Sequence, residues 1–210
     1  MQLVESFNSA KNGKINVIRL HDKLVVNTRN ANQSFDGLHQ LFKTIFSDLQ
    51  LEKLAPQKIL CLGLAGGSII HIIKNELQLN SHIIAIEYDE VMVQIASKYF
   101  GLQQFNNLTV VIADAFVYAQ QKAATEIFDL IIVDLFEDNK VVENVFNIEF
   151  NEQLLNMCPN GTIIINAICN NKNQLLQLNT LFSFYKNKQN NCILKTYPIA
   201  AENKVLIVQT

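Results

Sequence analysis

The stretch KILCLGLAGGSIIHII, residues 58–73, decides the fold. It begins as a short, continuously apolar run, which is typical of a strand buried on both faces of a parallel sheet. A cluster of small residues follows from Gly63 to Ser68, and the apolar positions after it recur with helical spacing. A tight strand–helix turn explains this pattern as well as a loop whose backbone approaches a ligand, because glycine lacks the side chain that would hold a ligand away.

The remainder of the chain alternates strands with helices. Apolar runs predict further strands at 82–87, 108–113, 128–134 and 162–168, two more strands after residue 190, and a continuous helix over 143–157. This alternation predicts an α/β fold: a doubly wound, mostly parallel, seven-stranded Rossmann-like sheet that ends in an antiparallel C-terminal hairpin.

The apolar residues of the segment before residue 51 follow a different spacing. Apolar and polar residues alternate over 14–28, which predicts a β-hairpin, and residues 37–50 carry one apolar helical face. We therefore expect an N-terminal hairpin and helix over 1–50, followed by the main domain over 51–210.

The composition narrows the class of partner. The 210 residues carry a net charge of −2, and no run of Lys or Arg occurs, so nothing draws the chain to nucleic acid or to an anionic membrane. No segment approaches the roughly 18–20 apolar residues of a membrane span, and the first residues lack the apolar core of a signal peptide. The four cysteines lack metal-ligand spacing. We expect a cytoplasmic protein without a metal that acts on a small molecule.

The first four predicted strands of the main domain end in the glycine-rich segment after residue 62, in Glu87, in Asp114 followed by Ala115, and in Asp134. Because ligands of such sheets bind outside the carboxyl ends of the strands, this edge is the candidate site. Glu87 can accept hydrogen bonds from a ribose diol, and Asp114 followed by Ala115 can read the edge of an adenine. Each residue also has an ordinary interpretation, as an exposed strand-end carboxylate or as a helix N-cap.

The first and last of these strand ends add further information. Ala65 and Ser68 stand where a dinucleotide-binding loop would carry its second and third glycines, which argues against NAD. The fourth strand ends at Asp134, and Glu137 and Asp138 follow. Carboxylates at this place indicate a cationic partner or a proton acceptor, unless they form only a solvated acidic loop.

The segments ILCLGLAGGS, IAIEYDE, VVIADAF, FDLIIVDLFEDN and FNIEFNEQLLNMCPNGTIIIN resemble the class I S-adenosylmethionine-dependent methyltransferase fold, and more narrowly its spermidine synthase-like branch. The resemblance implies S-adenosyl-L-methionine as the cofactor and is compatible with a homodimer, which such proteins often form. It implies a set of cofactor-binding residues: Gly63, Ala65, Gly66, Gly67, Glu87, Tyr88, Asp114, Ala115 and Asp134.

The residues expected to bind the acceptor substrate are assigned from the same resemblance. Asp134, Glu137 and Asp138 are the expected catalytic residues, because they can hold a cationic acceptor or take its proton. Gln33 and His39 are the expected substrate-binding residues.

The sequence departs from the aminopropyltransferases of this branch at three places. Gly66 stands where their glycine loop carries Asp, and Leu38 stands where they carry Tyr. Their fourth strand usually ends D-S-S-D-P, whereas here Glu137 replaces the second Asp and the Pro is absent. Loss of the loop carboxylate removes a charge that would repel the carboxylate of intact S-adenosylmethionine. We therefore expect methyl transfer to a small acceptor. The alternatives are aminopropyl transfer with degraded motifs and a non-catalytic nucleoside-binding module.

Overall fold

The computed structural model describes residues 1–21, 23–28, 37–64, 66–137, 140–169, 171–189, 191–197 and 203–210, apart from the side chains of residues 137 and 140. Within those ranges, no helix has both the length and the apolar character needed to cross a membrane.

The described residues contain twelve strands, which form sheets of three, seven and two strands. They are β1 (Gln2–Ser9), β2 (Gly13–Leu20), β3 (Lys23–Asn27), β4 (Lys58–Leu62), β5 (His82–Glu87), β6 (Leu108–Ile112), β7 (Leu130–Val133), β8 (Phe136–Glu137), β9 (Lys140–Val141), β10 (Thr162–Ile168), β11 (Asn191–Thr196) and β12 (Asn203–Gln209).

The helices connect these strands. They are α1 (Gly37–Asp48), α2 (Leu51–Leu54), α3 (Ser68–His71), α4 (Glu90–Phe100), α5 (Ala115–Lys122), α6 (Ile148–Met157) and α7 (Lys172–Lys188). A π-helical segment, Ile72–Glu76, continues α3.

In the described part of the chain, seven strands form the main sheet in the order β11-β12-β10-β7-β4-β5-β6. Strands β6, β5, β4, β7 and β10 are parallel, and β12 pairs antiparallel with both β10 and β11. The crossover helices cover both faces, as a parallel sheet requires. The predicted fold class is confirmed.

Two apolar cores lie on opposite faces of the main sheet. One face carries α5, α6 and α7, whose buried side chains pack against β7, β10 and β12. The other face carries α1 and α3 with its π-helical continuation. Helix α1 therefore packs into the main core through its predicted apolar face, although it lies before the predicted boundary at residue 50.

The N-terminal segment is more extensive than predicted. Strands β1, β2 and β3 form an antiparallel N-terminal sheet, so the expected hairpin is two strands of a three-stranded unit. The missed strand, β1, is exposed over most of its length, and it therefore lacks the alternation of apolar residues that marked β2. The N-terminal sheet packs on α4, where its own apolar face is buried.

The helix expected over 143–157 is wrong in its first third. Residues Glu143–Phe146 form a 3₁₀ turn, and α6 begins only at Ile148. Asn147 separates the two, because its backbone is extended and its side chain accepts a hydrogen bond from the Glu149 N–H as an N-cap.

Candidate functional site at the carboxyl edge of the main sheet

The main sheet brings the predicted strand-end residues to one edge. Strands β7, β4, β5 and β6 are neighbours in that order and run in the same direction. Gly63, Glu87, Asp114 and Asp134 follow or end these strands, so they line one continuous stretch of the carboxyl edge. This is the place where ligands bind in open α/β sheets.

Gly63 needs to be glycine for two reasons. Its φ of +94° lies in a region that other residues rarely adopt, and a Cβ built there would lie 2.2 Å from the backbone oxygen of Asp134. Gly67 repeats the pattern one turn later, with a φ of +79° and a Cβ position 2.8 Å from a methyl carbon of Leu102. The glycine loop, which is the segment from Gly63 to Ser68, therefore packs closely against the rest of the protein at Gly63 and Gly67.

The Glu87 carboxylate is buried and held by backbone groups. Only 7% of the residue is exposed. Its Oε2 accepts from the Leu64 N–H at 3.2 Å, and its Oε1 accepts from the Asp89 N–H at 3.0 Å. Carboxylate oxygens accept more than one hydrogen bond each, so these contacts fix the carboxylate and still permit it to bind the hydroxyls of a ribose.

Asp114 caps α5 and is exposed. The N–H groups of Phe116 and Val117 both donate to its Oδ1, at 2.8 and 3.0 Å. The cap does not use Oδ2, so the N-cap interpretation and the adenine-reading interpretation are compatible. Ala115, the first residue of the helix, is buried beside it.

Asp134 lies at the end of β7 with 8% of its surface exposed. Asn166 Nδ2 donates to its Oδ1 at 2.8 Å, and Asn203 Nδ2 donates to Asn166 Oδ1 at 2.8 Å. Burial raises the pKa of Asp134 to about 6, against the opposing effect of the Asn166 hydrogen bond. The carboxylate can therefore exchange a proton near neutral pH.

A comparison with protein-family models matches residues 43–205 to the spermine/spermidine synthase domain. The chain belongs to the spermine/spermidine synthase family.

Relatives of the chain carry two different activities in their names. The polyamine aminopropyltransferase of Vibrio vulnificus is 33% identical over 121 residues, which cover 56% of this chain and 40% of that protein. The eEF1A lysine and N-terminal methyltransferase of Mus musculus is 28% identical over 131 residues, which cover 54% of this chain and 18% of that protein. The chain thus matches less than half the length of either relative.

Solved structures show the same fold on both sides of this division. Human Methyltransferase-like protein 13 in complex with SAH superimposes with a TM-score of 0.70 at 22% identity, covering 83% of this chain and 82% of that one. A probable spermidine synthase from Corynebacterium glutamicum superimposes with a TM-score of 0.76 at 14% identity, covering 99% and 79%. At these identities the likeness concerns the fold alone.

Several expected residues of this family member lie outside the described ranges. They are Gln33, Ala65 and Asp138, together with the side chain of Glu137. The backbone of Glu137 is described, because β8 pairs antiparallel with β9 shortly after Asp134. The assignments of these residues stay predictions.

His39 has a defined partner in the structure. Its Nε2 lies 2.5 Å from Oε1 of Glu76, at the end of the π-helical segment, and Lys43 Nζ lies 2.6 Å from the other oxygen. The contact joins α1 to the continuation of α3. Glu76 does not belong to the group formed by Glu87, Asp114 and Asp134, and the substrate-binding role of His39 stays a prediction.

Two polar residues of the site were not predicted. Asp89 follows the Glu87–Tyr88 pair and is 2% exposed, and Asn166 is fully buried in β10. The sequence held a signal for the second, since a lone Asn interrupts the apolar run TIIINAI. Within the described residues, no three His, Cys, Asp or Glu side chains come together as a metal site.

Proposed function

We propose that the chain is an S-adenosylmethionine-dependent methyltransferase that acts on a small, cationic acceptor. The observation that carries the proposal is Gly66, a residue without a side chain in a buried part of the glycine loop. A carboxylate at this position, as in the aminopropyltransferases the sequence resembles, would repel the carboxylate of intact S-adenosylmethionine.

Features of the described residues fit a nucleoside with a methionine side chain. The glycine loop has no side chain at Gly63, where a Cβ would collide with the Asp134 backbone, or at Gly67, where a Cβ would meet the Leu102 side chain. The hydroxyl oxygen of Ser68 is buried at the end of this loop, and it has no hydrogen-bond partner among the described residues. Glu87 would hold the ribose hydroxyls, and Asp114 with Ala115 would hold the adenine.

S-adenosylmethionine would supply the methyl group: the acceptor's lone pair forms the new bond to carbon, and neutral S-adenosylhomocysteine leaves with the electrons of the broken S–CH3 bond. The protein then contributes mainly proximity and alignment of the acceptor. Asp134 would attract a cationic acceptor while it is ionised, and would accept a proton from it with a pKa of about 6. Glu137 and Asp138 would contribute further negative charge on the same side of the site.

Aminopropyl transfer is the second candidate, and the relative from Vibrio vulnificus at 33% identity favours it. It differs from the first in the form of the nucleoside, because the aminopropyl donor is decarboxylated. A third possibility is a nucleoside-binding module without turnover, which would bind ligand and transfer nothing.

Calorimetric titration of the wild-type chain tests these alternatives. We expect S-adenosylmethionine and S-adenosylhomocysteine to bind more tightly than decarboxylated S-adenosylmethionine and methylthioadenosine. At 100 times the dissociation constant, a ligand should stabilise the fold by roughly 2.7 kcal/mol, or about 5–10 °C. The reverse order of affinities would establish the aminopropyl donor as the ligand.

A substitution in the glycine loop sharpens the test. Gly66→Asp restores the carboxylate and should weaken S-adenosylmethionine binding more than binding of the decarboxylated form. Gly37→Asp is the matched control, because a Cβ at Gly37 meets no atom within 4 Å and the variant adds the same charge elsewhere. Equal losses for both ligands in Gly66→Asp would contradict the charge argument. Incubation with labelled S-adenosylmethionine and polyamine or amine acceptors then separates turnover from binding.

A further inference from the structure

The turn between β1 and β2 is fastened to the loop that carries Glu87. Ser9 Oγ donates to Asp89 Oδ2 at 2.5 Å, and Asn12 Nδ2 donates to the same oxygen at 2.5 Å. These residues lie 80 and 77 positions from Asp89 in the sequence. The turn thus joins the N-terminal sheet to the candidate site through one carboxylate oxygen.

Ser9 shapes the turn with the same hydroxyl group that makes this contact. Its Oγ accepts from the Lys11 N–H at 2.9 Å and from the Asn12 N–H at 3.0 Å while its proton goes to Asp89. The fold of the turn and its attachment to Asp89 therefore depend on each other.

Asp89 also contacts the Glu87 carboxylate directly. Its backbone N–H donates to Glu87 Oε1 at 3.0 Å, and its own Oδ1 accepts from the Val91 N–H at 2.9 Å. Because Asp89 is only 2% exposed, water has little access to replace a lost partner of its carboxylate. A displacement of Asp89 would therefore displace the Glu87 carboxylate.

Apolar packing between β2 and α4 also holds the β1–β2 turn in place. Ile15 and Val17 of β2 share a core with Met92 and Ile95 of α4, the helix that Asp89 caps. Above this core, Lys11 Nζ lies 5.4 Å from the ring centroid of Tyr88, the residue after Glu87. The turn therefore lies beside Tyr88 as well as Asp89.

We infer that the β1–β2 turn contributes to ligand binding at the nucleoside site. Ser9 and Asn12 are positioning residues: they hold Asp89, and Asp89 holds the Glu87 carboxylate in the orientation that binds the ribose hydroxyls. The inference rests on the proposed function, since it assumes that Glu87 meets a ribose. It assigns to the N-terminal sheet a role in ligand affinity as well as in folding.

Titration of full-length variants with three ligands tests the inference. The ligands are S-adenosylhomocysteine, adenosine and 2′,3′-dideoxyadenosine, which lacks both ribose hydroxyls. Ser9→Ala and Asn12→Ala should each weaken binding of the first two on the order of tenfold, the equivalent of one charge-assisted hydrogen bond. Binding of the dideoxynucleoside should not change, because it makes no contact that Glu87 could lose.

Two further variants control for folding. Ser6→Ala removes a hydrogen bond of the same strand pair, from Ser6 Oγ to Asn16 Oδ1 at 2.7 Å, and should leave all three affinities unchanged. Ser9→Thr keeps the hydroxyl and should restore binding. If Ser9→Ala does not fold, Asn12→Ala still tests the inference, since Asn12 does not organise the turn with its side chain.

The outcomes separate the inference from the proposed function. The inference is overturned if Asn12→Ala binds all ligands as the wild type does, or if it loses the same affinity for ribose and dideoxyribose ligands. In either case the proposed function still stands as long as the wild-type chain binds S-adenosylhomocysteine. A wild-type chain that binds no methionine nucleoside overturns the proposed function and the inference with it.

Discussion

At the scale of single residues, Gly63 shows how one missing side chain allows two strands to end side by side. Its carbonyl accepts from the Cys61 thiol at 3.3 Å, and its N–H donates to the Ile86 carbonyl at 2.9 Å. A Cβ would collide with the backbone of Asp134. The loop can therefore turn away from β4 without separating β4 from β7.

Three glycine-to-alanine variants distinguish backbone strain from collision. Gly63→Ala combines positive φ with a 2.2 Å contact and should destabilise the fold by about 3 kcal/mol or more. Gly13→Ala has a φ of +64° with open space around it, so strain alone should cost about 1–2 kcal/mol. Urea unfolding followed by circular dichroism measures all three.

Gly37→Ala is the member of the series with neither a positive φ nor a collision, so it should keep or slightly raise the stability. It lies in α1 with an open Cβ position, and Ala favours a helix over Gly by up to about 1 kcal/mol. Equal losses at Gly13 and Gly63 would show that the contact with Asp134 relaxes.

Asp134 predicts a pH dependence of stability with a definite sign. Its pKa rises from an ordinary 3.8 to about 6 in the fold because the carboxyl is buried. Between these pH values the folded protein keeps a proton that the unfolded chain has lost, so the contribution of Asp134 to stability falls as pH rises through this window. We expect Asp134→Asn to be more stable than the wild type at pH 7.5, by up to about 3 kcal/mol, and equal to it near pH 3.5.

Urea titrations at several pH values measure the difference between the two proteins. Asp114→Asn is the control, because an exposed N-cap can be Asp or Asn with similar stability. A constant difference between Asp134→Asn and the wild type at every pH would show that the carboxyl ionises in the fold as it does in water.

At the scale of elements, α7 is attached to α6 through one buried polar contact. Tyr185 donates its hydroxyl to Asn151 Oδ1 at 2.7 Å, and both side chains are inaccessible to solvent. Asn151 Nδ2 in turn donates to the carbonyls of Val145 and Asn147, at 2.8 and 2.7 Å. This network holds the 3₁₀ turn, α6 and α7 together on one face of the main sheet.

Removal of one hydroxyl from this network should be measurable. Tyr185→Phe leaves Asn151 Oδ1 without its donor in a buried place, which should cost about 1–3 kcal/mol in thermal or urea unfolding. Tyr197→Phe is the matched control and should cost less, because its partner Asp48 keeps a contact with Lys195 at 3.1 Å. Losses of the same size would mean that burial of Asn151 does not matter.

The elements differ in how far the sequence predicts them. Strands β4, β7 and β10 are apolar over most of their length, because both faces of a central parallel strand are buried, and the sequence places them within a few residues. Strand β1 escaped prediction, since it is mostly exposed. The break before α6 also escaped it, although Asn147 is a favoured N-cap residue, because the apolar helical spacing of Phe146, Phe150 and Leu154 continues across it.

At the scale of the whole molecule, the N-terminal and main sheets share buried surface through α4. Met92, Ile95 and Phe100 pack against the N-terminal sheet, while Ala96 of the same helix belongs to the main core. One helix thus contributes to both cores. We therefore expect the two sheets to unfold together.

Cavity-forming variants in each sheet test this coupling. Ile15→Ala in β2 and Ile164→Ala in β10 remove fully buried side chains and should each cost about 2–5 kcal/mol. Both should shift a single calorimetric transition, whereas Leu3→Ala, at a residue 57% exposed, should shift nothing. A second transition affected by Ile15→Ala alone would make the N-terminal sheet an independently folding unit.

The candidate site is predictable where topology alone sets it. Glu87, Asp114 and Asp134 could be assigned to one edge, because parallel neighbouring strands must end there. Asp89 could not, since its role depends on Ser9, 80 residues away. The Asn in TIIINAI does mark a buried polar group at residue 166, but its partner Asn203, 37 residues away, could not be predicted. Contacts of such separation follow from packing and have no local pattern.

The order of strands in the main sheet has a consequence for synthesis on the ribosome. Strand β12 follows β11 in the sequence but lies between β11 and β10. While residues 203–209 are still inside the exit tunnel, β11 has no partner, β10 presents an open edge, and Asn166 lacks the amide of Asn203. The nascent chain therefore exposes the unpaired edge of β10 until β12 inserts, and during that interval the edge can pair with other chains.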